Sequence, residues 1–274
     1  MAAVRRLASL FLVASFLLSA CADPHVSLGY RLEEGARLRY SLRLLADVER
    51  TLEEETRAER VEAVFRASQE VLERFADGGG RVSVTLDPIS LTVNGEPQSA
   101  GSTQDFVVIL GPGGEIEEVE EAAEGGPEPL APVGIERLLP RLRPVLPGGP
   151  VAPGDTWTSG AILSDEDGSF SLEARSRLAA LGEVAGRRAA LVRTTYTSPV
   201  DRREVFANAV ADLRGRDVGT QEAWFSLQGI LVRSEGDSVG RYAVTFRPPG
   251  GETDVEPVEG RLRVRLRTEM RLIL

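Results

Sequence analysis

The sequence predicts a mainly β protein, β-rich α+β in detail. The expected form is a curved antiparallel sheet or half-barrel, built from two pseudo-repeats joined by a short linking helix. Three observations carry this expectation: period-two alternation in the clearest segments, motifs matched in order between the two halves, and a Gly/Pro-rich stretch of helical spacing between them.

The alternation is plainest near the two ends. Leu38, Tyr40, Leu42 and Leu44 alternate with Arg37, Arg39, Ser41 and Arg43. Leu262, Val264, Leu266, Thr268, Met270, Leu272 and Leu274 alternate with Arg261, Arg263, Arg265, Arg267, Glu269 and Arg271. One apolar and one charged face is the pattern of an antiparallel sheet with a solvated side. The arginine face is expected to be neutralised by the many glutamates rather than to bind phosphate. Segment 56–76 fits both periods: Val61, Val64, Phe65, Ser68, Leu72 and Phe75 at helical spacing, or Val61, Ala63, Phe65, Ala67, Val71 and Phe75 at strand spacing. It is assigned to strand because its counterpart, Phe170 to Leu178, begins as one.

The repeat rests on three matches. Glu34 to Ser41 parallels Pro153 to Ser159, each a Gly turn, then polar residues, then an aromatic at the start of a strand, with Gly35 and Gly154 119 apart. Val71 to Leu86 parallels Ser176 to Val192, strand–Gly turn–strand, with Gly80 and Gly186 106 apart. Thr103-Gln104 leading to Gly114 parallels Thr220-Gln221 leading to Gly229, with the two glycines 115 apart. Hairpins of unequal length account for the drift.

Between the halves, Ile135, Leu138, Leu139, Leu142 and Leu146 fall on one face of a short helix that Pro140 and Pro144 kink or end. Its apolar face is expected to bury on the concave side of the sheet, with Ile135, Leu138, Leu139 and Leu142 as a ligand-cavity lid. The acidic run Glu115, Glu117, Glu118, Glu120, Glu121 and Glu124 is read as a solvated, mobile segment.

The N-terminus carries an address. Arg5 and Arg6 precede the apolar run Leu7 to Leu18, too short for the roughly 20 residues of a spanning helix. Leu18-Ser19-Ala20-Cys21 then resembles the bacterial lipobox, which implies that the signal peptidase recognises Leu18, Ser19 and Ala20 and that Cys21 receives a diacylglycerol. Cys21 is the only cysteine, so no disulfide competes for it. The chain then divides into signal peptide 1–21, tether 22–28, first β repeat 29–121, linker 122–150 and second β repeat 151–274. Ala22, not Asp, follows the cysteine, which points to the periplasmic face of the outer membrane over the inner membrane.

Composition excludes several classes. The chain has 32 basic and 42 acidic residues, every basic one an arginine. Without Arg5 and Arg6 the balance is 30 against 42, a net −12, the wrong sign for nucleic acid. Four Tyr and two Trp do not favour an aromatic sugar platform. The single histidine, His25, lies in the tether, which leaves no second one for a metal site or a Ser-His-Asp triad. Asp165-Glu166-Asp167-Gly168 lacks the spacing of a calcium loop and reads as a hairpin tip, as does Gly78-Gly79-Gly80. No pair of carboxylates is singled out for acid–base work. No cofactor and no enzymatic activity are expected.

Leu138-Leu139-Pro140 through Pro147, followed by Val151, Gly154, Asp155 and Trp157, resembles the signature of an uncharacterised group of bacterial lipoproteins. In that group a leucine–proline helix leads into a V-x-x-G-D-x-W turn. The lipobox followed by a curved sheet and a covering helix is distantly similar to the LolA/LolB-type envelope carriers, which implies an apolar cavity for acyl chains. The expectation is therefore a membrane-anchored, non-enzymatic envelope protein that binds a lipid or other apolar ligand. The alternative is a structural or interaction module with a filled core, partnered by another envelope protein.

Overall fold

The computed structural model describes residues 25–122, 135–165, 168–206, 209–247 and 257–273. In chain order the elements are β1 (Arg37–Leu52), β2 (Glu55–Arg74), β3 (Gly80–Val93), β4 (Glu96–Gln98), β5 (Gln104–Leu110) and β6 (Ile116–Ala122), then α1 (Ile135–Leu142). The second half holds β7 (Thr156–Asp165), β8 (Gly168–Val184), β9 (Arg187–Phe206), β10 (Ala209–Ser226), β11 (Leu231–Arg247) and β12 (Val258–Ile273). All pairings are antiparallel, in the order β6-β5-β3-β2-β1-β12-β11-β10-β9-β8-β7, with β4 on β3. The chain is thus an up-and-down meander whose terminal strands pair in the middle. The sheet curls until β6 and β7 come close without forming a ladder, so the barrel is nearly closed.

Alternation sets the two faces as the sequence implies. Tyr40, Leu42, Leu44, Ala46 and Val48 of β1 are buried opposite Leu262, Val264, Leu266 and Met270 of β12, with Leu42 facing Met270 and Val48 facing Val264. Segment 56–76 is strand: Val61, Ala63, Phe65, Ala67 and Val71 of β2 point inward. Outward arginines meet carboxylates directly across the ladder, Arg37–Glu70 at 2.9 Å, Asp47–Arg60 at 2.7 Å and Arg203–Asp212 at 2.9 Å. Such exposed pairs are worth about 0–1 kcal/mol each, so they set register and solubility more than stability. Hairpins are tight where left-handed turns permit it, as at Asn94-Gly95 between β3 and β4 and Ala185-Gly186 between β8 and β9.

One expectation needs correction. The acidic run is solvated, with Glu117, Glu118 and Glu120 exposed, but it is not a mobile segment: Ile116–Ala122 is strand β6, paired with β5, and Glu120 meets Arg81 at 2.5 Å. Ile116 is buried and Val119 half-buried between the glutamates, so these apolar residues bring the run onto the sheet. Glu124 lies outside the described residues.

The matched motifs share backbone detail. Gly35 N donates to Val71 O and Gly154 N to Leu178 O, while Val71 N returns to Ala36 O and Leu178 N to Asp155 O. Both β2 and β8 are bulged there, at Val71/Glu73 and Leu178/Ala180. Gly111 and Gly114 repeat the turn bonds of Ser226 and Gly229, 115 residues on. The pairs Val82–Val108 and Val192–Ala223 carry the same 115-residue offset between β5 and β10. Gln104 and Gln221, 117 apart, are therefore not structural counterparts.

Helix α1 touches β6 on one side and β11 on the other, and so runs across the barrel interior. Pro140 is tolerated inside so short a helix, and Arg141 closes its last turn, where a cation favours the helix dipole. Beyond it, Tyr30 Oη donates to Pro144 O at 2.7 Å and Trp157 Nε1 to Val145 O at 2.8 Å. In the V-x-x-G-D-x-W stretch, Val151 bridges Val26, Asp155 Oδ2 accepts from Ala152 N, and the indole holds the segment after the helix.

Candidate functional site

The interior is divided by polarity. Apart from Gln104 and Arg141, every buried polar side chain among the described residues lies on β8–β11. The inward face of β1–β3 is apolar but for Gln69. Helix α1 lies between the two halves and presents a different side to each.

On the polar side Arg141 forms an ion pair with Asp217 Oδ2, both side chains over nine-tenths buried, and its guanidinium lies 5.9 Å from the Tyr196 ring centre. Tyr242 Oη donates to the other carboxylate oxygen. Gln221 Nε2 donates to Arg141 O at 3.0 Å and to Ser234 Oγ at 2.9 Å, and Ser176 shares a 2.8 Å bond with Thr194. Burial pushes the Tyr242 hydroxyl up, reinforced by the negative charge of Asp217 and the bond to it. Only about 20 Å³ is open beside Arg141 and Asp217. With both carboxylate oxygens occupied, this cluster ties α1 to β10 and β11.

On the apolar side a second space of about 20 Å³ lies against Leu139, Leu142, Leu42 and Met270. A larger cavity, about 170 Å³, is at the end of the barrel where β1 and β3 begin and β2 and β5 finish. Leu38, Tyr40, Val71, Val82 and Leu110 wall it, and the segment Tyr30 to Glu33 covers it. That cover is pinned by Arg31 N to Gly229 O at 3.0 Å and by the edge of Tyr30 against Phe225, ring centres 4.9 Å apart. Gln69 and Arg143 border both apolar spaces. The Arg143 guanidinium stacks 4.7 Å from the Tyr30 ring centre, and burial pushes the Tyr30 hydroxyl up to about 12 against the pull of that cation. A 150 Å³ apolar cavity holds a benzene-sized guest and drug-sized ligands need about 300 Å³ or more, so this one suits a short chain or ring.

The residues expected from sequence fall unevenly on this picture. Leu18, Ser19, Ala20 and Cys21 lie outside the described residues, and His25 is exposed. Leu138, Leu139 and Leu142 are buried beneath the sheet; the side chain of Ile135 lies outside the described residues. None of these leucines walls the larger cavity. The tip residues Glu166 and Asp167 lie outside the described residues, between Asp165 and Gly168, which pair at the end of the β7–β8 hairpin. Among the described residues no group of acidic, His or Cys side chains is placed to hold a metal. Sequence reasoning missed Tyr30, Gln69, Arg141, Arg143, Asp217 and Tyr242. One signal was available: inward positions of β11 read Ser234, Gly236, Ser238, Gly240, Tyr242, small and polar where β1 reads Tyr40, Leu42, Leu44.

No protein-family model matches the chain, and no curated protein matches it. Among solved structures it is similar to DynF from the dynemicin biosynthesis pathway of Micromonospora chersina, at 9% identity over 90% of this chain and 85% of that one. The TM-score is 0.22, too low to bear on fold or function.

Proposed function

We propose that this is a membrane-anchored, non-enzymatic envelope lipoprotein, two copies of one β unit, that binds the apolar part of a lipid-like ligand at the barrel end nearest its anchor. The observation that carries the reading is where the cavity lies. Its cover, Tyr30 to Glu33, begins nine residues after Cys21, and Val26 is already fixed to Val151. Five residues at 3.3–3.6 Å each let a lipidated Cys21 stand at most about 18 Å from Val26. The tether thus keeps this end of the barrel beside the bilayer. An outer membrane, periplasmic location follows from Ala22 on the same reading.

The outward face supports anchoring over insertion as a barrel. Charged side chains predominate at the outward positions of β1, β2 and β12, where a transmembrane barrel needs an apolar band. Among the described residues no helix is long and apolar enough to cross a membrane.

Native mass spectrometry of the protein purified from membranes tests the reading. The expected result is an added apolar mass that disappears in Ala36→Phe, which fills the cavity from its wall. A chain that never carries one, and binds no short-chain acid or alcohol, overturns it. Cys21→Ser should move the protein from the membrane to the soluble fraction, since the acyl chains supply the anchorage; undiminished membrane binding refutes the lipobox.

The near-filled interior favours a second reading, an interaction module that binds another envelope protein. Recovery of one reproducible partner, with Ala36→Phe leaving that partnership intact, distinguishes it.

A further inference from the structure

Of the charged side chains that line the larger cavity, Arg143 is stacked on Tyr30 and pairs with no carboxylate of the wall. Arg31 and Glu33 pair with each other at 2.6 Å at the rim. Arg143 has no carboxylate in ion-pair range among the described residues, and its Nε–H is buried without an acceptor. Glu115, whose Oε2 is also buried without a donor, packs on the β5–β6 turn and is not part of the cavity wall. A buried donor on an unpaired cation is costly and is offset by an anion that reaches it. Gln69 stands beside Arg143 at the junction of the two apolar spaces and adds an amide at the same point.

We propose that Arg143 is an anion-binding residue that, with Gln69, takes the carboxylate of a single-chain amphiphile whose apolar part lies along Leu38, Val71 and Val82. This rests on the cavity reading above and adds the chemical class of the ligand. A guanidinium fork matches a planar monoanionic carboxylate, whereas a phosphate monoester brings a second charge, and the other arginine of this wall, Arg31, is already paired with Glu33. The volume, slightly above that of a benzene-binding cavity, sets the enclosed part at about six carbons.

The test uses the full-length lipidated protein in phosphatidylcholine nanodiscs, with empty discs as the blank and [1-¹³C]hexanoate and 1-hexanol as probes. Wild type should bind hexanoate about tenfold or more tighter than Arg143→Gln does, while 1-hexanol binds both within about twofold. The bound carboxyl carbon should titrate below the free acid in wild type. Arg143→Lys, which keeps the charge, should retain the preference for hexanoate over hexanol in part and supplies the comparison if the Gln variant does not fold. Equal hexanoate binding by wild type and Arg143→Gln, or a bound carboxyl that titrates at or above the free value, overturns the role of Arg143 and leaves the cavity reading standing. Binding of neither probe to wild type overturns both.

Discussion

Asp217→Ala removes one carboxylate from the polar half of the barrel and takes a partner from two groups at once. Arg141 loses the carboxylate it pairs with under α1 and Tyr242 loses its acceptor. Breaking one side of a buried ion pair costs about 3–5 kcal/mol, and an orphaned hydroxyl about 1–3 kcal/mol. The two share a partner and do not add, so a loss of about 4 kcal/mol is expected, a large part of a typical total of roughly 5–15 kcal/mol. Urea unfolding followed through Trp157 and Trp224 measures it. Because the pair ties α1 to β10, amide exchange in α1 should accelerate before exchange in the sheet. The triple change Arg141→Met, Asp217→Leu, Tyr242→Phe removes the ion pair and the hydroxyl bonded to it together and should return stability to within about 1 kcal/mol of wild type. A loss below about 1 kcal/mol in Asp217→Ala, with α1 exchange unchanged, refutes the claim that this cluster fastens the helix.

Two further outcomes follow from the same geometry. Tyr30, Tyr40, Tyr196 and Tyr242 are all four tyrosines of the chain, and burial raises the pKa of each. A raised folded pKa leaves the stability contribution whole below the unfolded value of 10.0 and removes it as pH climbs toward the folded value, about 12 for Tyr30. Unfolding free energy should therefore hold to near pH 10 and fall above it, with phenolate absorbance rising in one cooperative step; gradual ionisation of native tyrosines contradicts this. Gly114→Ala should cost at least about 2 kcal/mol, because φ is +83° and a Cβ would stand 2.0 Å from the Tyr30 ring. Gly35→Ala, at φ +76° with open space around it, should cost only the roughly 1–2 kcal/mol of left-handed strain; equal losses at the two sites refute the steric account.

Much of this architecture is legible in the chain. Period-two alternation assigns faces in β1, β2 and β12, and the arginines that alternate along β12 end exposed beside carboxylates such as Glu49 and Asp237. The leucines of α1 declare a buried helix through their spacing. The site was far less legible. Arg141 and Arg143 are the same residue type as the β12 arginines, yet both point into the barrel. In Leu-Pro-Arg-Leu-Arg-Pro the chain leaves a helix, and neither period applies to say which way a side chain turns.

What the sequence by itself determines, then, is local: strands with one apolar face, a short helix of leucines between two similar halves, and an acidic surface with no second histidine. Those follow from alternation, spacing and composition, which act between near neighbours. What tertiary structure decides is which strands meet, that β1 pairs with β12 and leaves a gap at β6 and β7, and that Glu117 to Glu121 lie on a strand. It also decides that Asp217, 76 residues from Arg141, meets it under α1, and that Tyr30 closes a cavity walled by β1, β2, β3 and β5. The physical reason is that burial and charge pairing depend on distances between remote segments, and nothing in a period-two pattern specifies those distances.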